Sequence, residues 1–372
     1  MEQPLRVLHV VNSLEPGGME NGVVNIARGL ASRGIETHVA CLERTGEFAE
    51  RLPNPERCAV LGKSGGFSPM ATIYLAEHIA RMKPHVLHSH NLGPLIYSAI
   101  ATVGGLRCPI VQGEHSALTE EEKSPRRISQ RRWLYRCCAR IHTVADSMRG
   151  ELIAFGFRED RIEAIANGVD TDRFAPGERA AARAGIGVPS DAIVIGIVGR
   201  FGPFKGHDLM IEAFEKLATQ CPATHLLIVG GGGPCEAAIR ARAAQSPVAS
   251  RIRLTGFRDD PRPCYQALDI LAIPSTNEGM SNAALEAMAC GVPVLANAGC
   301  GHEQIITDGV EGRLSDVRTA DALAAELAAL LAAPALLIDK GANARTRVLK
   351  HFSLARMLEA YEQLYRATAR HR

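Results

Sequence analysis

Two basic side chains on a glycine-rich loop are the first candidates for chemistry in this sequence. Gly199 and Arg200 follow an apolar run typical of a strand, and Lys205 and Gly206 close the same loop. A forked guanidinium and a compact ammonium held on such a loop suit a diphosphate, because glycine lets backbone amides approach an anion. The alternative is that both basic residues only face solvent.

Two glutamates form a second candidate group. Glu278 lies in a loop after a predicted strand, and Glu286 lies about a turn and a half into a predicted helix that Ser281 can cap. One carboxylate can reach a ligand from the loop while the other accepts hydrogen bonds from hydroxyls. The amides of Asn282 and Ala283, at the start of the helix, would point at a phosphate.

Further glycines follow strands elsewhere. Gly17 and Gly18 separate the first strand from a helical pattern, which suits either an anion site or a plain tight turn. Four glycines at 230–233 end another strand, but Pro234 breaks the pattern of a dinucleotide-binding loop.

Metal-binding patterns are weak. The ten cysteines include no C-x-x-C pair, so we expect reduced, mostly buried thiols. Asp170 and Asp172 frame a D-x-D sequence within a turn-rich segment, which favours turn and capping roles. His88 and His90 project from the same face of a strand with no third ligand evident, so we interpret them as polar lining. No metal site is predicted.

Short apolar runs alternate with helical patterns through the whole chain, which predicts an α/β protein with parallel sheets. The strands are predicted at 5–11, 35–42, 85–88, 109–112, 141–144 and 161–165, and again at 192–198, 226–229, 252–255, 270–273 and 292–296. A Gly/Pro-rich stretch near 170–190 separates the two series. We therefore expect two doubly wound domains that face each other across a ligand cleft.

The overall composition excludes several classes of function. The chain has 372 residues, a net charge of +2 and 46% hydrophobic residues, so no strong field favours nucleic acid. No apolar run is long enough for a transmembrane helix, and the N-terminus lacks the features of a signal peptide. These features predict a cytoplasmic protein.

The motifs together resemble those of the family 4 glycosyltransferases, which are retaining enzymes of GT-B fold. The resemblance spans nearly the whole chain. It is carried by the E-x7-E segment Glu278 to Glu286 with the run at 287–294, by the sequence at 167–170 with Phe174 and Pro176, by Gly199-Arg200 and Lys205-Gly206, by the glycines at 231–233 with Pro234, by the segment at 255–260, and by Gly17-Gly18-Met19-Glu20 and Gly113-Glu114-His115.

This resemblance implies roles for single residues. The implied catalytic residues are His115, Arg200, Lys205 and Glu278, and the implied donor-binding residues are Gly17, Gly18, Gly232, Ser281, Asn282, Ala283 and Glu286. Arg200 and Lys205 would bind the diphosphate, and Glu286 would bind the ribose hydroxyls. Glu303 would contact the sugar, but there the chain departs from the family pattern, because Cys300 interrupts a glycine pair and His302 replaces proline.

The resemblance also implies domain bounds and a reaction. The acceptor-side domain would span 1–175, with a C-terminal helix at about 352–372 packed on it, and the donor domain would span 176–351. The donor would be a nucleotide sugar, UDP rather than GDP, used without a metal or other cofactor. A weaker similarity to exopolysaccharide- and exosortase-associated transferases implies a glycan or lipid-linked acceptor. The alternatives are a nucleotide-sugar epimerase and a non-catalytic nucleotide-sugar-binding subunit.

A basic segment in the first half suggests contact with a membrane. Arginines at spacing i, i+4, i+8 with a neighbouring tryptophan predict a basic stripe along a helix, which suits an anionic lipid surface. The alternative is a solvated helix whose arginines pair with acidic residues. The residues concerned are Arg126, Arg127, Arg131, Arg132, Arg136, Arg140 and Trp133. They would place the protein peripherally on the inner face of the membrane.

Overall fold

The computed structural model describes residues 4–103 and 108–370. The chain forms two compact units. The first comprises the described residues up to Asn167 and those from Leu354 onward, and the second comprises Gly168–Ser353. Each unit is built around one parallel sheet.

The strands are short and mostly buried, as expected where helices cover both faces of a sheet. They are β1 Leu5–Ser13, β2 Ile35–Arg44, β3 Cys58–Val60, β4 Val86–His90, β5 Ile110–Glu114, β6 Cys138–Thr143, β7 Ile162–Ala164, β8 Ile193–Val198, β9 Thr224–Val229, β10 Ile252–Gly256, β11 Ile270–Ile273, β12 Val294–Asn297 and β13 Gly312–Ser315.

Helices connect the strands and cover the sheets. They are α1 Gly18–Ala31, α2 Pro69–Met82, α3 Leu92–Thr102, α4 Pro125–Tyr135, α5 Asp146–Ala154, α6 Arg179–Ile186, α7 His207–Gln220, α8 Glu236–Ala244, α9 Arg262–Ala267, α10 Asn282–Ala289, α11 Ala320–Leu331, α12 Pro334–His351 and α13 Leu354–Ala369.

The strand order in both sheets is that of a doubly wound fold. The first sheet runs β3-β2-β1-β4-β5-β6-β7 and the second β10-β9-β8-β11-β12-β13, with every strand pair parallel. In each sheet the order reverses beside the first strand, and loops at the carboxyl ends of the strands hold the glycines predicted from sequence. The α/β prediction is confirmed.

Alternating side chains of β1 contribute to the apolar cores on both faces of the first sheet. Leu8 packs with the apolar side chains of α2 and α3 on one face of the sheet. Val7 faces the other side, where it packs with Ile26 of α1 and with Tyr361 and Tyr365 of α13. The last helix of the chain is therefore part of the first unit, and its two buried tyrosines lie against the sheet.

Two sequence-based expectations fail in the fold. The short edge strands β3 and β13 were not predicted, because β3 has only three residues and β13, with the sequence GRLS, has no apolar run. The predicted basic stripe is wrong as a helix, since α4 ends at Tyr135 and Arg140 lies in β6. In the described part of the chain no single helix is long and apolar enough to cross a membrane, and α11 and α12 meet length and composition criteria only as a pair bent by 96°.

Candidate active site

The loop between β8 and α7 is held by the glycine loop after β9. The amide of Gly199 donates to Val229 O at 2.9 Å, and the amide of the buried Phe201 donates to Gly232 O at 3.1 Å. At Gly230, which has a φ of +144°, a Cβ would collide with Gly199 O, so only glycine permits this approach. The backbone on both sides of Arg200 is thus fixed before any ligand binds.

Lys205, at the end of this loop, forms an ion pair with Glu278. Lys205 Nζ lies 2.5 Å from Glu278 Oε1, and the two side chains are 36% and 11% exposed. The amide of Thr276 donates to Phe204 O at 3.0 Å, which joins the two loops through their backbones. Arg200 is exposed on the same loop. The family resemblance implied catalytic roles for all three residues, but no sequence pattern predicted the direct contact between Lys205 and Glu278.

A second glycine-containing loop, at Gly301, packs against the backbone of Glu278 and Gly279. Gly301 has a φ of +86°, and a Cβ there would lie 2.9 Å from both Glu278 O and Gly279 O. Next to it, His302 is fully buried, and neither ring nitrogen has a hydrogen-bond partner among the described residues. Burial lowers the pKa of His302, while the charge of Glu278 acts in the opposite direction. The structure therefore places the residue that replaces proline directly beside the candidate sugar-contacting carboxylate.

Glu303 does not extend from this loop toward Glu278. Its carboxylate accepts a hydrogen bond from the amide of Gly299, in its own turn, although the side chain is exposed. Cys300 lies close to the loop of Glu278, with its Sγ 3.5 Å from Thr276 O. The implied sugar contact of Glu303 therefore stays a prediction.

Glu286 lies within α10 and is fixed by a residue that the sequence motif did not include. Tyr265 of α9, which is fully buried, donates its hydroxyl to Glu286 Oε2 at 2.7 Å. Burial raises the pKa of Glu286 to about 7, and the Tyr265 hydrogen bond and the charge of Arg173 only partly oppose this rise. Glu286 is therefore poised to change its charge near neutral pH.

The start of α10 forms as predicted. Ser281 is the N-cap, and its side chain accepts a hydrogen bond from the amide of Ala284 at 3.3 Å. Asn282 and Ala283 are the first two helical residues, and both are half-buried. By contrast, the amide of Gly232 donates to Glu236 Oε2 at 2.7 Å, so a donor phosphate would have to displace that carboxylate to use it.

In the first unit, the glycine pair has the predicted place but an acidic neighbour. Gly17 is the N-cap of α1, and the helix begins at Gly18. A Cβ on Gly17 would collide with Glu20 Oε2, so the carboxylate of Glu20 lies directly over this turn. An anionic ligand at this helix start would meet the charge of Glu20.

His115 follows β5 and lies among other histidines. The carboxamide oxygen of Asn91 accepts from the amide of His115 at 3.3 Å, and Asn91 itself has a φ of +67°. His115 Nε2 lies 2.9 Å from Nδ1 of His90, which is buried. Burial lowers the pKa of His115 to about 4, so the ring is neutral at physiological pH. Neither His90 nor Asn91 could be chosen from the sequence, since no spacing rule links them to His115.

Two other sequence interpretations are resolved by contacts. Asp170 Oδ1 accepts from the amides of Asp172 and Arg173 at 3.2 and 2.9 Å, which confirms its turn role. Arg131, expected on the basic surface, is instead buried and paired with Glu114 at 2.8 Å and with Glu122 at 2.9 Å. It cannot contact lipid.

Comparison with known proteins connects these features to a family. Residues 16–173 match the family described as Glycosyltransferase Family 4, and residues 192–333 match the one described as Glycosyl transferases group 1. The chain is 30% identical over 360 residues to a D-inositol 3-phosphate glycosyltransferase of Kribbella flavida, covering 86% of this chain and 84% of the relative. The chain belongs to the family 4, group 1 glycosyltransferases. The enzyme is also 27% identical to the D-inositol 3-phosphate glycosyltransferase 2 of Catenulispora acidiphila, over 91% of its length and 87% of the relative's.

Solved structures agree on the fold of the enzyme. The structure of Anabaena Alr3699/HepE in complex with UDP-glucose superposes with a TM-score of 0.85 at 22% identity, covering 98% of this chain and 100% of the other. A sucrose-phosphate synthase from Thermosynechococcus elongatus superposes with a TM-score of 0.81 at 21% identity, over 98% of both chains. The two Rossmann-like units thus have the GT-B fold, and the family match makes the enzyme a glycosyltransferase.

Proposed function

We propose that the enzyme transfers a hexosyl group from a UDP-sugar to a hydroxyl of a glycan or lipid-linked acceptor, with retention of anomeric configuration. The ion pair of Lys205 and Glu278, beside the N-terminus of α10, carries the proposal, because it sets a cation for the diphosphate next to a carboxylate for the sugar. Anabaena HepE, which has the same fold, was crystallised with UDP and with UDP-glucose.

The donor would be held by groups that are already in place. Arg200 and Lys205 would neutralise the leaving diphosphate, and the amides at Asn282 and Ala283 would add a helix N-terminus. Since Tyr265 occupies Glu286 Oε2, Oε1 is the oxygen we assign to the ribose hydroxyls. These two cations would do what a metal ion does in other transferases, so we propose that the reaction needs none.

We propose that the acceptor hydroxyl attacks from the face that the diphosphate leaves. The leaving phosphate oxygen would take the acceptor proton, and the growing charge would be stabilised by Lys205 and Arg200. Glu278 would lie against the transferred sugar, and His115 would donate a hydrogen bond to it. The proposed location is the cytoplasm, with contact to the inner membrane face when the acceptor is lipid-linked.

The relatives are named for inositol 3-phosphate, which is the competing acceptor class. At the carboxyl ends of the strands in the first unit, Arg44 lies 2.6 Å from Glu15, Lys63 lies 2.7 Å from Glu43, and Lys123 lies 2.9 Å from Glu120. An acceptor phosphate at any of these cations would bind beside a carboxylate. We propose a sugar hydroxyl of a glycan or lipid-linked acceptor, and inositol phosphate is the class tested against it.

The proposal is tested with purified enzyme, a panel of UDP- and GDP-sugars, and two acceptor classes. Thermal shift should identify one UDP-sugar, since a ligand that binds only the folded state raises its stability. Product NMR with that donor should show an α-linkage from an α-donor on a glycan acceptor, and little product with inositol phosphate. Isomerised sugar from donor alone would support the epimerase alternative, and donor binding without product in any arm would support the non-catalytic one.

A further inference from the structure

Five histidines of the first unit lie together at the carboxyl ends of its strands: His9, His88, His90, His115 and His142. All but His115 are at most 1% exposed. Strand register brings them together, because β1 places His9 beside His88 of β4, while β5 places Gly113 between His90 of β4 and His142 of β6. The sequence separates these residues by up to 133 positions, so only the sheet assembles the group.

The missing side chain of Gly113 makes room for two of these rings. A Cβ at Gly113 would lie 2.6 Å from His142 Nε2 and 2.9 Å from His115 Nε2. Both distances are shorter than carbon–nitrogen contacts allow, so any larger residue would push His115 out of its place. Glycine is therefore required at position 113 because its missing side chain leaves room for the His115 ring. Backbone conformation is not the reason, since the φ of Gly113 is outside the left-handed region.

Three of the rings form one hydrogen-bonded chain. His115 Nε2 lies 2.9 Å from His90 Nδ1, and His90 Nε2 lies 3.0 Å from His9 Nδ1. The far nitrogen, His9 Nε2, is buried and has no partner among the described residues. A neutral imidazole has one donor and one acceptor nitrogen, so all three rings must donate in the same direction.

The buried end of this hydrogen-bonded chain, His9 Nε2, determines the direction in which the three rings donate. If His115 donated to His90, then His9 Nε2 would carry a buried N–H without an acceptor. If His9 donates instead, its Nε2 is an unprotonated acceptor, and buried acceptors without partners are tolerated better than buried donors. In this direction His90 donates to His115 Nε2, and the proton of His115 lies on Nδ1.

We propose that His9 and His90 are positioning residues that hold His115 as the neutral tautomer protonated at Nδ1, so that His115 donates a hydrogen bond and does not act as a base. The use of that hydrogen bond on the sugar rests on the proposed function, whereas the tautomer itself does not.

Charge in the surroundings is consistent with neutral rings. Burial lowers the pKa of His9 to about 3 and of His115 to about 4, and the other three are lowered well below their ordinary range. The titratable neighbours of the rings include two tyrosines of α13: Tyr365 OH lies 2.6 Å from His88 Nδ1, and Tyr361 stacks edge-on with His142. They also include Glu163 of β7, the register partner of His142, and burial raises the pKa of this carboxyl group. The carboxylate of Glu114, the neighbour of His115, bonds instead to Arg131.

A metal ion is the competing explanation, because one nitrogen each of His9, His88 and His90 lie within 4.8 Å of one another. The rings of His88 and His90 argue against it. Their centroids are 4.0 Å apart, whereas two imidazoles on one zinc at about 2.0 Å and a tetrahedral angle would have centroids roughly 5 Å apart. Nitrogens of these two rings also form hydrogen bonds with Tyr365, His142 and His115, so they do not point together at one metal position.

The test is NMR of the full-length enzyme with ¹⁵N-labelled histidine, in which the two ring nitrogens of each tautomer give separate shifts. Loss of a signal pair in His115→Gln assigns that residue. We expect His115 to be neutral at pH 7 with the proton on Nδ1. In His90→Phe we expect a shift of the proton to Nε2, the usual preference of imidazole in water. His90→Asn, whose amide can replace the Nδ1 donor, should restore the original tautomer, and His225→Gln in the second unit should change nothing.

Activity and metal content complete the design. In His90→Phe we expect kcat to fall about tenfold, the worth of one hydrogen bond, while the Kd of UDP stays unchanged. Any one of three results would overturn the proposal. The first is a proton on Nε2 of wild-type His115, and the second is an unchanged tautomer in His90→Phe. The third is one equivalent of tightly bound metal, found by elemental analysis, that His9→Leu removes. Absence of transfer with the Nδ1 tautomer intact would contradict the proposed function alone.

Discussion

Lys205 Nζ lies 2.5 Å from Glu278 Oε1, although the two residues are 73 positions apart. The contact joins the loop after β8 to the loop after β11, which are adjacent strands of the second sheet. Before a donor binds, each residue neutralises the other, and the half-exposed lysine still presents its remaining protons to a ligand. A diphosphate can therefore bind Lys205 while the pair keeps both side chains in place.

The first prediction separates catalysis from stability at this pair. Lys205→Ala should lower kcat about 100- to 1,000-fold, which is typical when a preorganised group that stabilises a leaving charge is removed. The free energy of unfolding should fall by only about 1–3 kcal/mol, because Lys205 is itself half-exposed although the carboxylate that it leaves is largely buried. Initial rates and thermal shift on the same samples measure both quantities.

Lys216 offers a matched control in the same unit. It is 40% exposed and lies 2.6 Å from Asp321, which is 84% exposed, so Lys216→Ala removes the ion pair of a comparably exposed lysine away from the site. We expect its kcat to stay within twofold of wild type. Equal losses in the two variants would show that the effect of Lys205→Ala is not specific to donor chemistry.

The second prediction concerns pH and donor affinity. Burial raises the pKa of Glu286 to about 7, so its carboxylate form becomes dominant only above that pH. Charge-assisted hydrogen bonds to ribose hydroxyls are stronger by about 1 kcal/mol than neutral ones. The affinity for UDP should therefore rise about three- to fourfold as pH increases from 6 to 8, measured by calorimetry.

Glu286→Gln supplies the reference for this measurement. The glutamine side chain cannot ionise, whereas the phosphate of UDP still titrates as it does with the wild-type enzyme. The affinity of the variant should show only the contribution of the nucleotide phosphate. Parallel pH profiles for wild type and Glu286→Gln would exclude Glu286 as the ribose ligand.

The third prediction is acid sensitivity of the first unit. His9, His88, His90 and His142 are buried, and burial holds each pKa below 6.5. Below pH 6.5 the unfolded chain binds protons that the folded unit cannot. The free energy of unfolding should therefore be highest above pH 6.5 and fall as pH decreases, by roughly 1.4 kcal/mol per pH unit for each histidine.

Urea titrations followed by the fluorescence of Trp133, the single tryptophan, would report this unit. Replacement of His142 by glutamine should reduce the slope by one proton, whereas replacement of the exposed His351, in the second unit, should not. A stability that is flat from pH 7 to pH 5 would contradict neutral burial of the cluster.

The fourth prediction is that transfer survives EDTA. Arg200, Lys205 and the start of α10 supply the positive potential that a divalent cation supplies elsewhere. Initial rates after exhaustive chelation should match those of untreated enzyme. A loss of activity that manganese restores would assign a metal to the reaction and return attention to Asp170 and Asp172.

The fifth prediction concerns the membrane, with a smaller set of residues than the sequence indicated. Arg126, Arg136 and Trp133 are exposed, while Arg127 lies 3.3 Å from Glu121 and Arg132 donates to Phe155 O. We expect sedimentation with anionic vesicles at low salt and release at high salt, because about 1 kcal/mol per surface arginine is screened by salt.

Charge reversal gives the control for this experiment. Arg126→Glu with Arg136→Glu should abolish sedimentation, whereas Arg158→Glu, at an exposed arginine far from α4 in sequence, should leave it intact. Recovery of wild-type protein in the supernatant with both neutral and anionic vesicles would reject membrane contact.

Local patterns in the sequence determined much of the fold. Apolar runs of strand length, glycines after them and the Ser281 cap predicted two parallel sheets and the start of α10, because these features depend on neighbours within one or two turns. The same locality explains the errors. Arg136 and Arg140 continue a helical spacing, but nothing in that spacing shows that the helix ends at Tyr135.

Tertiary structure alone decided which side chains meet. Tyr265 reaches Glu286, Lys205 reaches Glu278, and His9 reaches His90, because each pair sits on different elements whose separation along the chain carries no spacing signal. The register of parallel strands fixes these neighbours, and register follows from packing over the whole sheet. Burial follows from the same packing, which is why Arg131 pairs with Glu114 inside the first unit instead of facing a membrane.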